Sequence, residues 1–154
     1  MDKIYCSETA EFQVAFFDLD PMNVVWHGNY VKYMEIGRCA LLDKIGYNYT
    51  EMVKSGYAFP VTDIKVRYIK PLTFGEHAKI VSHLVEYENM IKIKYEIFNE
   101  KGELATKAES TQMAFNIQKM ESEFTCPEVF VSRVNELVKD KKMKEKSCNL
   151  NKND

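Results

Sequence analysis

The chain has 154 residues, of which 45% are apolar and 12% aromatic, and its formal net charge is −2. That length suits one domain, and so apolar a composition excludes global disorder. The near-balance of charge gives no reason to expect nucleic acid or an anionic membrane surface as a partner.

Taken in chain order, Phe12-Gln13-Val14-Ala15-Phe16 alternates large apolar with small or polar residues, the mark of a strand with one buried face. It runs into Asp18-Leu19-Asp20-Pro21-Met22-Asn23, which is turn chemistry. From Tyr30 the period becomes helical. Tyr30, Met34, Gly37, Leu41 and Ile45 share a face, widened by Tyr33, Ile36, Ala40 and Leu42. Asn29 is the expected N-cap and Gly46 the expected terminator. A helix this apolar must be largely wrapped.

Four more strands are expected: Phe59 to Ile69, His77 to Tyr87, Ile91 to Phe98, and a long one from Leu104 to Ile117. Their short connections favour antiparallel hairpins. After Pro127 the pattern is helical again, with Phe130, Val134, Leu137 and Val138 on one face. This gives one domain over 1–138, with a C-terminal helix from about 127, and a charged, disordered tail over 139–154. One buried helix beside a sheet with one apolar face implies an α+β fold in which the sheet curls around the helix.

The four cysteines, Cys6, Cys39, Cys126 and Cys148, form no CxxC pair, and no His stands at ligand spacing from them. No metal site is expected. The charged start MDKIYCSETAEFQ and the lack of a long apolar run point to a cytoplasmic protein without signal peptide or membrane span.

The chemistry concentrates in Phe17 to Tyr30. Two carboxylates, Asp18 and Asp20, stand at a strand end just before a helix, and His27 stands at the helix entrance. Unpaired N–H groups at a helix start favour negative charge. A carboxylate facing them across a small gap can attack a carbonyl or activate water, and the amides can hold the oxyanion. Against this, Asp in such a turn is usually a cap or turn former, and a lone His near a helix start is more often structural.

The order Asp18-x-Asp20-Pro21, then Val24-Val25-Trp26-His27, then Asn29-Tyr30, then Tyr33, Glu35 and Arg38, resembles the signature of the 4-hydroxybenzoyl-CoA thioesterase family, a hotdog fold. It is especially similar to the short-chain acyl-CoA thioesterase branch that includes the Tol–Pal-associated bacterial enzymes. The likeness continues through Phe59-Pro60-Val61 and Tyr68-Ile69-Lys70-Pro71 and covers roughly residues 10 to 120. It implies hydrolysis of a small acyl- or aryl-CoA. Asp20 would be the catalytic carboxylate and His27 the second catalytic residue, whose backbone N–H also polarises the carbonyl. Trp26, Asn29 and Tyr30 would lie against substrate, with Asp18 in support and Glu35 and Arg38 a structural pair on the helix. No cofactor is implied beyond the CoA of the substrate. The resemblance also implies a homodimer, and a homotetramer built as a dimer of dimers, with sites shared between subunits. One departure is Asn23, where the family often has Gly; Asn tolerates the left-handed conformation.

Two other functions are compatible with such a fold. A hotdog dehydratase or hydratase resembles His followed some thirteen residues later by a helical acid, but thirteen past His27 is Ala40. A non-catalytic acyl-CoA-binding protein would have no use for Asp20 and His27 together. Lys65, Arg67, Lys70, Lys92 and Lys94 are outward-facing candidates for the CoA phosphates. His77 and His83 lie on or beside a strand with no carboxylate pattern near them, which suggests hydrogen-bonding roles.

Overall fold

The computed structural model describes residues 2–151. A five-stranded antiparallel sheet has the order β1-β4-β5-β6-β3, where β1 is Cys6–Gln13, β3 Val61–Tyr68, β4 His77–Glu86, β5 Ile91–Phe98 and β6 Leu104–Gln112. Helix α1, Tyr30–Ile45, lies across it. The expected architecture, an antiparallel sheet wrapped around a helix, is the one observed.

The periodicities explain the packing. Ile91, Ile93, Tyr95 and Ile97 of β5 point inward, and all are buried. Tyr30, Met34, Gly37, Leu41 and Ile45 are buried on α1, with Tyr33 and Leu42; Ile36 is exposed. At Gly37 helix and sheet approach so closely that a Cβ would stand 2.5 Å from Ser82 Oγ and 3.0 Å from Ile80 Cδ1. Any larger residue would lift the helix off β4. Gly46 ends the helix with φ of 80°, in the left-handed region.

The helix does not lie over the middle of the sheet. It packs on β1 and β4, and its contact falls off across β5. The inner positions of β6 are accordingly small or polar: Thr106, Ala108, Ser110 and Gln112. Beyond them, edge strand β3 stays uncovered, and Ile64 and Tyr68 on its inner face are 43% and 51% exposed.

Several boundaries differ from expectation. The first strand occupies Cys6–Gln13, and Phe16–Asp18 forms a 3-10 turn. The third spans Val61–Tyr68, preceded by a short α2, Tyr49–Ser55, capped by Asn48. Between them β2, Tyr57–Ala58, starts a separate small sheet with β7, Ala114–Asn116, and β8, Glu121–Glu123, in the order β2-β7-β8. The long strand expected to Ile117 therefore breaks at Met113, whose N–H bonds the Pro60 carbonyl. Helix α3, Glu128–Leu150, is longer than α1 and runs past 138 through the charged segment read as a tail. Phe130 and Val134 anchor it, Phe130 against Tyr47 and Phe59. The last part of that tail, 152–154, lies outside the described residues.

Candidate active site

The chain between β1 and α1 folds back on itself. Leu19 bridges Val25, the Asp20 N–H donates to the Val24 carbonyl at 2.9 Å, and the Trp26 N–H donates to the Asp18 carbonyl at 2.9 Å. Asp20 and His27 thus stand on opposite arms of a miniature hairpin. Its tip is a tight turn: the Asn23 N–H donates to the Asp20 carbonyl at 3.0 Å. Asn23 has φ of 62°, the left-handed conformation that the common family Gly would take freely. Asp20 Oδ1 accepts from the Met22 N–H at 2.8 Å, which leaves its second oxygen without a protein donor among the described residues.

Asp18 has a different environment. It is buried, and its carboxylate accepts from the Ala15 N–H at 3.0 Å, from the Tyr33 hydroxyl at 2.8 Å and from the Lys32 ammonium. Burial raises its pKa, but the Lys32, Ala15 and Tyr33 donors together outweigh that and hold it below the ordinary carboxylate range. The Asp18 carbonyl also accepts from Asn29 Nδ2 at 2.7 Å. Asp18 therefore fixes both arms of the hairpin to the start of α1.

Asn29 does not cap that helix in the expected way. It is itself helical, with φ of −73° and ψ of −16°, because a 3-10 turn over His27–Asn29 precedes α1. The helical start thereby moves back to His27. Among the described residues, no acceptor lies in hydrogen-bond reach of the His27 and Gly28 N–H groups. The His27 ring is exposed, and its carbonyl accepts from the Tyr68 hydroxyl at 2.8 Å. Trp26 is 49% exposed. Its indole folds over Gly28, where a Cβ would overlap the ring. Tyr30 is 3% exposed, edge-on to Tyr33 and Tyr68, and burial raises its pKa. Glu35 and Arg38 pair along the helix.

The structure thus brings Asp20, Trp26, His27 and Asn29 together around an exposed helix start, with Tyr30 beneath. A cavity of about 750 Å³ lies elsewhere. It opens beside the second half of α1, with Leu42, Met52, Phe59 and Phe115 as apolar wall and Arg38 and Cys39 on the helix side. None of the five candidate residues lines it. Sequence reasoning also missed Lys32 and Tyr33 as partners of Asp18. Their signal, a Lys and a Tyr on the first helical turn after an acidic turn, is too common to single out.

Of the candidate phosphate ligands, Lys65, Arg67 and Lys94 share a shallow hollow on the outer sheet face with Glu96 and Glu109. Lys70 pairs with Glu103, and Lys94 with Asp2.

A family model described as the Thioesterase-like superfamily matches residues 14–140. The chain belongs to this superfamily. It is 38% identical over 104 residues to the "Putative acyl-CoA thioesterase YneP" of Bacillus subtilis, covering 67% of this chain and 75% of that one. Among solved structures it is similar to a DHNA-CoA thioesterase from Staphylococcus aureus, at 33% identity and a TM-score of 0.71, covering 75% of this chain and 78% of that one. A 1,4-dihydroxy-2-naphthoyl-CoA thioesterase from Synechocystis shares the fold, with a TM-score of 0.76 at 16% identity over 86% of this chain and 98% of that one. The protein is a hotdog-fold thioester hydrolase. No helix among the described residues is long and apolar enough to cross a membrane.

Proposed function

We propose that the protein hydrolyses the thioester of a small acyl- or aryl-CoA, in the manner of the short-chain acyl-CoA thioesterases, with Asp20 as nucleophile or general base. The observation that carries this is the placement of Asp20 on one arm of the hairpin and the unpaired His27 and Gly28 N–H groups on the other. The thioester carbonyl would accept from those amides. Asp20 would attack it, expelling the CoA thiolate and leaving a mixed anhydride for water to open, or would take the proton of an attacking water. The His27 ring, exposed beside the site, would orient substrate or protonate the departing sulfur.

A single chain leaves this site open to solvent, and a second copy would close it. Edge strand β3 has free backbone groups and exposed Ile64 and Tyr68 on its inner face, a surface that proteins cover. Antiparallel pairing of β3 with its symmetry mate would continue the sheet and set the two α1 helices side by side in opposite directions. The start of each helix would then approach the second half of the other, where the large cavity lies. On this reading the acyl group enters the cavity of one subunit while Asp20 of its partner does the chemistry.

The test is release of free thiol from a panel of straight, branched and aromatic acyl-CoAs, by wild type and by Asp20→Asn. Turnover by wild type alone supports the reading. Equal turnover by a folded Asp20→Asn protein removes Asp20 from it, and binding of acyl-CoA without turnover indicates a carrier.

A further inference from the structure

On the outer face of the sheet, away from Asp20, Ser7 on β1 stands directly opposite His83 on β4. The Val14 N–H donates to the Glu76 carbonyl at 2.9 Å. Counting back from Val14 makes Ser7–His83 a pair without backbone hydrogen bonds between its members, the kind in which side chains come closest. Ser7 Oγ lies 2.6 Å from His83 Nδ1, and His83 Nε2 lies 2.9 Å from Glu96 Oε1 on β5. An ionised carboxylate can only accept, so Nε2 carries the ring proton. Nδ1 is left with its lone pair facing the Ser7 hydroxyl. The chain is hydroxyl, imidazole, carboxylate, with the two ring nitrogens exchanged relative to the serine proteases.

The backbone at Ser7 suits the same chemistry. Its carbonyl accepts from Lys44 Nζ at 2.6 Å, so its peptide groups face the outer edge of β1, which has no further strand beside it among the described residues. The Ser7 N–H points to that side too. The edge opens into a cavity of about 610 Å³ between β1, the end of α1 and α3, with Lys44, Lys141 and Lys144 on its walls beside Asp140 and Glu145.

We infer that Ser7, His83 and Glu96 form a second acyl-transfer site, for short acyl esters or thioesters whose leaving group is anionic. The Ser7 Oγ–H proton passes to His83 Nδ1 as Oγ bonds to the carbonyl carbon. The Ser7 N–H and the Lys44 ammonium stabilise the oxyanion. The C–O or C–S bond then breaks, and the leaving group takes the proton from Nδ1. Water, deprotonated by the same nitrogen, hydrolyses the seryl ester and restores the hydroxyl. The lysines on the cavity wall hold the negative charge of the leaving group.

The experiment treats the full chain with a fluorophosphonate probe and maps the adduct by mass spectrometry, in parallel with p-nitrophenyl acetate hydrolysis in an Asp20→Asn background. The expected adduct is on Ser7. It is lost in Ser7→Ala and slowed at least about tenfold in His83→Ala and in Glu96→Gln, as for removal of a general base or its orienting group. Because Glu96 is partly exposed, Glu96→Gln keeps the test open should His83→Ala fail to fold. No adduct on Ser7 in the folded protein, or an undiminished rate in Glu96→Gln, overturns the inference and leaves a structural hydrogen-bond chain.

Discussion

The Tyr33 hydroxyl reaches back from α1 to donate a 2.8 Å hydrogen bond to Asp18 Oδ2. The bond is buried and its acceptor is charged, so Tyr33→Phe should cost about 1.5–3 kcal/mol of stability. Urea unfolding should show a lower midpoint with an unchanged slope. Because Asp18 positions the hairpin that carries Asp20, the variant should also lower kcat more than it raises KM.

Asp18 predicts an acid limb as well. Its folded pKa is depressed, so its contribution is fully present above the unfolded value of about 4 and is lost as pH falls through the folded value. Wild type and Asp18→Asn should therefore differ most in stability near neutrality and converge in acid. Parallel curves down to the lowest pH at which both fold would contradict the assigned role.

For Asp20→Asn, turnover of acyl-CoA should fall by about 10² to 10⁴, the range for a positioned base, with melting unchanged. His27→Ala should lose less, since its backbone N–H remains. Steady-state kinetics on both, checked by circular dichroism, decide the order.

At Gly28 an alanine methyl would collide with the Trp26 indole. Trp26 is half exposed and can swing outward, so Gly28→Ala should cost little stability but should reduce kcat/KM. The double variant with Trp26→Ala should be no worse than Trp26→Ala alone, a non-additivity that reports the contact directly.

Ile64→Asp, at an exposed position of β3, should yield a folded monomer without acyl-CoA hydrolysis if the site is completed by a second copy. Light scattering and thiol release on the same sample test this together. A fully active monomer would refute the shared site.

Cys6 and Cys126 are buried, and burial pushes their pKa up to about 11 and about 12. Neither should react with a thiol reagent at neutral pH until the protein unfolds. Labelling followed by peptide mapping would show it.

The alternation in Ile91 to Phe98 and the helical face from Tyr30 to Ile45 were legible because each follows one period throughout. The break at Met113 was not, because β6 and β7 read as one continuous strand and only the Pro60 carbonyl separates them. The neighbourhood of Asp20 was visible as a contiguous motif. The Ser7–His83–Glu96 chain was invisible, since its members are brought together by strand register across 76 and 13 positions of sequence. The capping of α1 was misread because Asn29 has the right side chain for a cap, but Asp18 supplies the carbonyl that side chain binds.

The large cavity and the Asp18 hydrogen bonds lie at opposite ends of one helix. Substitutions at Leu42, Met52 or Phe115 reshape the cavity and leave every bond that holds the hairpin in place. On the proposed reading, in which the acyl group enters this cavity, chemistry and choice of acyl group are separately mutable. Drift in the cavity wall can yield relatives with new substrates at an undisturbed reaction centre, and grafting the wall of one relative into another should transfer substrate preference without re-optimising the turn.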